Sequence, residues 1–210
     1  MDPNEDFSGW FSAPVVRGEY RTPVTEFSKR NIFTVLLKGL KPQSVYSFRV
    51  IEPNWDNSRA QIYTYNTFDM NNITIADGGD IGNNEIATQM IENVISKADV
   101  DLIMVGGDTA YDQNAPSCFR AWDYLLKSLP IYKHNFDKKT VRIVPILFST
   151  GNHDLGMSTL DGNVLRHNSH EPVFKHYFPQ NTDNGKIPKL LERKPYFAQN
   201  IGKFIIIKFR

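Results

Sequence analysis

Three short blocks constrain this chain more than any other feature. They are Gly79-Asp80-Ile81-Gly82, Gly107-Asp108-Thr109-Ala110-Tyr111 and Gly151-Asn152-His153-Asp154. Each follows an apolar run rich in Ile and Val: Asn72–Ala76, Asp101–Val105 and Arg142–Ser149. Such runs suit buried parallel strands. Between them lie two helical patterns. Asn84–Ala98 carries Ile86, Met90, Val94 and Ile95 three or four apart, with Asn84 as its N-cap. Pro116–Leu129 opens on a proline and carries Phe119, Trp122, Leu125, Leu126 and Leu129. The order is βαβαβ. Right-handed crossovers make its strands parallel, which brings all three blocks to the carboxyl edge of one sheet. Open α/β sheets bind ligands there.

The residue types at that edge indicate cation chemistry. Asp carboxylates, a Tyr oxygen and an Asn carbonyl are hard donors, suited to iron, manganese, magnesium or zinc. One carboxylate can bridge two cations roughly 3.5–4 Å apart, the spacing of two-metal phosphatases and nucleases. The glycines let the backbone approach closely and take up positive φ. Asp77 competes with Asp80 as the first ligand, because Asp77-Gly78-Gly79 also fits Asp-x-Gly. The bland reading of Tyr111 is a packed aromatic. Asp112 and Asp154 are read as braces of their turns.

The blocks resemble the calcineurin-like metallophosphoesterase superfamily and, more narrowly, the purple acid phosphatases, whose pattern runs GDxG, GDxxY, GNH(D/E), VxxH, GHxH. The first three are present in order. The resemblance implies that Asp80 binds the first metal, Asp108 bridges both, Tyr111 binds the first as phenolate and Asn152 binds the second. His153 would contact the phosphate. It further implies ferric iron plus a second divalent metal (iron, zinc or manganese). The implied function is an acid phosphatase that hydrolyses small phosphomonoesters by attack of metal-bound hydroxide. Other superfamily branches read Asp-x-His in the first block, where this chain has Gly82, and the second block here adds Tyr111. Phe174–Pro179 resembles a family aromatic stretch, and Pro195–Phe209 resembles the family's next strand pair.

No GHxH occurs in the 210 residues, and the two V-x-x-H spacings, Val164–His167 and Val173–His176, lie before the Pro195–Phe209 strand pair rather than after it. The expectation is therefore an N-terminal fragment, with the two later histidine blocks beyond Arg210. The alternative recruits His167, His170 or His176, which otherwise read as surface histidines. A rival from another class is a catalytically inactive binding module of the same fold. A nucleotide-binding domain lacks support, because no Gly-rich phosphate loop opens the first helix.

The first third reads differently. Tyr46, Phe48 and Val50 alternate after Leu40-Lys41-Pro42, which resembles the tyrosine corner of fibronectin type III sandwiches. Ile32–Leu37 and Gln61–Phe68 read as neighbouring strands. The expected architecture is thus an all-β fibronectin type III-like domain over residues 1–69, incomplete or unusually short. It precedes an α/β metallophosphoesterase domain over residues 70–210, the first half of a layered α/β sandwich.

Net charge is +1, which gives no electrostatic case for nucleic acid. No apolar run reaches the ~18 residues of a membrane span. The single cysteine, Cys118, excludes an internal disulfide and reads as a packed thiol. No signal peptide is visible, whereas the resemblance implies a secreted, vacuolar or lysosomal protein. Asn72-Ile73-Thr74 is a glycosylation sequon expected to lie in a core strand, unused. The oligomeric state is not encoded in any of these features.

Overall fold

The structure, a computed structural model, describes residues 15–19, 31–52, 54, 56, 60–82, 84–112, 120–128, 132–134, 140–155, 173–179 and 186–208. In chain order the strands are β1 (Val15–Glu19), β2 (Asn31–Val35), β3 (Val45–Phe48), β4 (Ile62–Asn66), β5 (Ile75–Gly78), β6 (Leu102–Val105), β7 (Tyr132–His134), β8 (Thr140–Ile143), β9 (Ile146–Phe148), β10 (Phe197–Ile201) and β11 (Phe204–Lys208). The helices are α1 (Glu85–Lys97), α2 (Arg120–Ser128) and α3 (Val173–Tyr177), with a 3-10 turn at Leu190–Glu192.

The parallel sheet expected from the βαβαβ pattern is present, in the order β5-β6-β9. Its central strand β6 is apolar on both faces because both faces are covered. Ile103 and Val105 pack with Ile95 of α1, Trp122 and Leu125 of α2 and Phe174 of α3. Leu102, with Met104 beside it, packs with Ile201 and Ile206 of the β10–β11 hairpin. A layer of helices, a parallel sheet and a hairpin layer follow from that alternation. Gly202 turns the hairpin at φ 58°, where a Cβ would also run into the Met70 carbonyl. The hairpin falls within Pro195–Phe209, as expected. Only one face of β11 is buried: Ile206 and Lys208 are covered while Phe204, Ile205 and Ile207 are exposed.

Several expectations are corrected. The first strand begins at Ile75, because Thr74 is held outside the ladder: its N–H donates to the Asp101 carboxylate at 2.9 Å. Asn72 is therefore exposed, and the sequon does not lie in a core strand. The Arg142–Ser149 run is two strands rather than one. Val144-Pro145 separates β8 from β9 and the two strands join different sheets. Proline has no N–H to donate to a ladder, but its carbonyl still accepts from Ile103 at 2.9 Å. On α1, Asn84 caps as expected, accepting from the Ala87 N–H at 2.9 Å. The buried line, however, is Ile91, Ile95 and Ala98, while Ile86, Met90 and Val94 face outward. His176 is buried on α3, not a surface histidine. His167, His170, Cys118 and the Pro116–Phe119 start of the second helical pattern lie outside the described residues.

The N-terminal strands take an unexpected partner. The β3–β4 hairpin is antiparallel, and the Tyr46 hydroxyl accepts from the Lys41 N–H at 2.9 Å, the local geometry of a tyrosine corner. But β4 pairs in parallel with β8 through Ile62–Thr64 and Thr140–Arg142, giving a sheet ordered β3-β4-β8-β7. This sheet runs across position 69. Among the described strands, β1 and β2 form a separate antiparallel pair and β4 joins the later β8, so a fibronectin type III-like sandwich over residues 1–69 is not shown. No helix among the described residues is long and apolar enough to cross a membrane.

Candidate functional site

The three blocks meet at the carboxyl edge of β5, β6 and β9, stitched backbone to backbone. Gly106 N–H donates to Gly78 O at 2.6 Å and Asp80 N–H to Gly107 O at 3.1 Å. Ser149 N–H donates to Val105 O at 2.9 Å. The approach is close enough to require glycine. A Cβ on Gly107, itself at φ 101°, would sit 2.8 Å from Gly151 N, and a Cβ on Gly151 would lie 2.5 Å from Asp108 N.

Backbone strain is concentrated here. Asp80, Asp108 and Tyr111 have φ of 52°, 47° and 55°. L-residues take up this left-handed region sparingly, at a cost of about 1–3 kcal/mol each, and persist there when the surroundings over-determine them. Three of the proposed ligand positions therefore share one unusual conformation. It aims side chains that an ordinary strand exit would not.

The second and third loops hold each other by reciprocal bonds. The Asp108 Oδ1 atom accepts from the His153 N–H at 2.9 Å. In return the Asp154 carboxylate accepts from Thr109 N–H at 3.0 and 3.2 Å, from Ala110 N–H at 3.3 Å and from its own turn's Gly151 N–H at 3.0 Å. Asp154 is fully buried. Burial raises its carboxyl above the usual 3.8; the backbone N–H groups of Gly151, Thr109 and Ala110 oppose the rise, and the Asp108 charge adds to it. Asp112 is also fully buried and accepts from the Trp122 indole at 2.7 Å. Asp112 and Asp154 are thus braces, as the sequence indicates. The reach of Asp154 across to residues 45 positions earlier was not legible, because no local pattern marks it.

Tyr111 lies beside His153, ring centroids 4.5 Å apart. Burial, then the charges of Asp80, Asp108 and Asp154, raise its phenol above the usual 10.0. Asp80 and Asp108 therefore both contribute to the electrostatic surroundings of Tyr111. Asp77 is not part of this group: its carboxylate lies 3.7 Å from the Lys208 ammonium on the hairpin side. Asn152 is exposed on the third turn, next to the half-buried His153. The edge thus gathers Asp80, Asp108, Tyr111, Asn152 and His153.

Among the described residues, no three His, Cys, Asp or Glu side chains cluster to hold a metal. What the edge does gather is two carboxylates, a phenol and an amide. These oxygen donors fit a hard cation. The aromatic stretch packs behind the site, with Trp122 stacked on Tyr177 at 5.4 Å and Phe148 against Phe178 at 4.2 Å.

No curated protein matches the sequence. A family model described as calcineurin-like phosphoesterase matches residues 70–205, a span that begins just before β5, ends within β11 and contains all three loops. Membership implies metal-dependent phosphoester hydrolysis, a chemistry in keeping with hard oxygen donors gathered on strained turns at one sheet edge. The chain belongs to the calcineurin-like phosphoesterase family.

Proposed function

We propose that the protein is a phosphomonoesterase of the purple acid phosphatase type. The observation that carries this reading is Tyr111, held at left-handed φ three residues after Asp108, with its ring centroid 4.5 Å from that of His153. A phenol placed among carboxylates serves as an oxygen ligand better than as packing. In this reading Asp80 and Tyr111 hold a ferric ion, Asp108 bridges, and Asn152 holds a second divalent cation. Bound cations would supply Lewis acidity toward the phosphate and lower the pKa of water. His153, whose backbone is fixed by Asp108 and whose ring lies against Tyr111, positions a phosphate oxygen and protonates the leaving group. The ligands this reading assigns in these 210 residues are oxygen donors, and no GHxH occurs among them.

The test is iron loading of wild type and Tyr111→Phe, read by visible absorption, with hydrolysis of para-nitrophenyl phosphate compared against its bis-ester. A form carrying the two histidine blocks is expected to show a broad charge-transfer band that vanishes in Tyr111→Phe, and to prefer the monoester. Iron binding without colour, or preference for the diester, contradicts the purple assignment and leaves a generic metallophosphoesterase.

A further inference from the structure

The Asp154 carboxylate lies behind the ligands, fully buried, and no step of the chemistry above uses it. We infer that Asp154 is a positioning residue that sets the separation of the Asp108 and Asn152 ligand positions before any cation arrives. This rests on the metal reading of the site.

The geometry is specific. Asp154 lies two residues after Asn152 in the third loop. Its two oxygens accept from Thr109 and Ala110, the two residues that follow Asp108 in the second loop, and from Gly151, which precedes Asn152. One carboxylate therefore fixes the backbone just after Asp108 and just before Asn152. The reverse bond, His153 N–H to Asp108 Oδ1 at 2.9 Å, closes the ring. Gly151 and Asp108 approach so closely that a Cβ at 151 would clash with the Asp108 backbone and carboxylate. The cost of this arrangement is two carboxylates near each other, Asp108 adding to the burial that raises Asp154. A merely structural brace needs only one acceptor. Accepting three N–H groups from two loops requires both oxygens, and it fixes distance as well as fold.

An amide at 154 keeps one acceptor and turns an NH2 toward backbone donors, so at least one N–H loses its partner. Partners of this kind, one shell behind a metal's own ligands, typically change cation affinity about 10–100-fold. The experiment titrates Mn2+ into the metal-free protein by calorimetry, with the Mn2+ spin-resonance spectrum as a second readout, well below each variant's melting temperature. Asp154→Asn is expected to bind Mn2+ at least 10-fold more weakly than wild type, with an altered spectrum. Asp154→Glu, with both oxygens on a longer arm, is expected to fall between, and it decides the matter if the Asn variant does not fold. Wild-type binding that either folded variant leaves within twofold, with an unchanged spectrum, overturns the inference alone. Wild type that takes up no Mn2+ overturns the reading of the site and this inference with it.

Discussion

The loops after β5 and β6 begin with the same three residues, Gly78-Gly79-Asp80 and Gly106-Gly107-Asp108, and both aspartates sit at left-handed φ. They are built differently. Asp80 is exposed, and its backbone N–H bonds Gly107 O. Asp108 is 9% exposed, followed by the fully buried Thr109 and Ala110, and tied to the third loop from both directions. The third loop accounts for the difference: its Asp154 carboxylate and His153 N–H tie down the loop after β6, whereas the Asp80 backbone is stitched through its N–H to Gly107. β5 and β9 are both edge strands of this sheet, so side-chain ties, and not place in the sheet, separate the two loops.

The largest expected effect contrasts two glycines. Gly151→Ala places a Cβ against the Asp108 backbone and is expected to cost about 3 kcal/mol in denaturant unfolding. Gly78→Ala meets nothing within 4 Å at an ordinary φ, and is expected to stay within about 0.5 kcal/mol. Equal costs at the two positions would break the comparison.

Next in size is Trp122→Phe. It keeps most of the aromatic packing and removes the indole donor to buried Asp112. A hydrogen bond to a charged group is worth about 2 kcal/mol, and the melting midpoint should fall accordingly. Asp80→Asn tests the loop after β5. Because Asp80 is exposed, stability should change by less than about 0.5 kcal/mol, while Mn2+ affinity falls. Loss of stability without loss of affinity would reverse the assignment of the two loops.

The smallest effect lies far from the site. The Tyr65 hydroxyl on β4 is buried and has no hydrogen-bond partner among the described residues. Tyr65→Phe should stabilise by about 1 kcal/mol. Burial, then Tyr46, raises the Tyr65 phenol above 10.0. Above pH 10.0 the unfolded chain ionises while the folded group keeps its proton, so stability falls as pH rises through that range. The fall should be shallower in Tyr65→Phe, as followed by urea unfolding at a series of alkaline pH values.

What the sequence showed and what it hid divide along physical lines. The cap at Asn84, the parallel order of β5, β6 and β9 and the meeting of the three loops all follow from local patterns and crossover handedness. The face of α1 did not. Ile86, Met90 and Val94 form one apolar line and Ile91 and Ile95 another on the same helix, so periodicity alone could not choose. The pairing of β4 with β8 is non-local, joining Thr64 to Arg142, and no turn or repeat announces it. Pro145 breaks the Arg142–Ser149 run by removing a ladder donor, but nothing local tells that the chain changes sheets there. In the site itself, the convergence of the three loops was legible and the Asp154 ties were not, because a buried carboxylate's partners are set by packing rather than spacing.

The central claim is that these loops form a cation site whose shared ligand is Asp108. The most direct measurement is Mn2+ binding to metal-free wild type and Asp108→Asn. The amide keeps the Oδ1 that accepts from His153 and removes only the charge, so folding is preserved. The account predicts saturable binding in wild type that is lost in Asp108→Asn, with the two proteins melting within a few degrees of each other when metal-free. Equal binding by both, or none by wild type, would contradict it, the latter in favour of a binding module on a phosphoesterase fold.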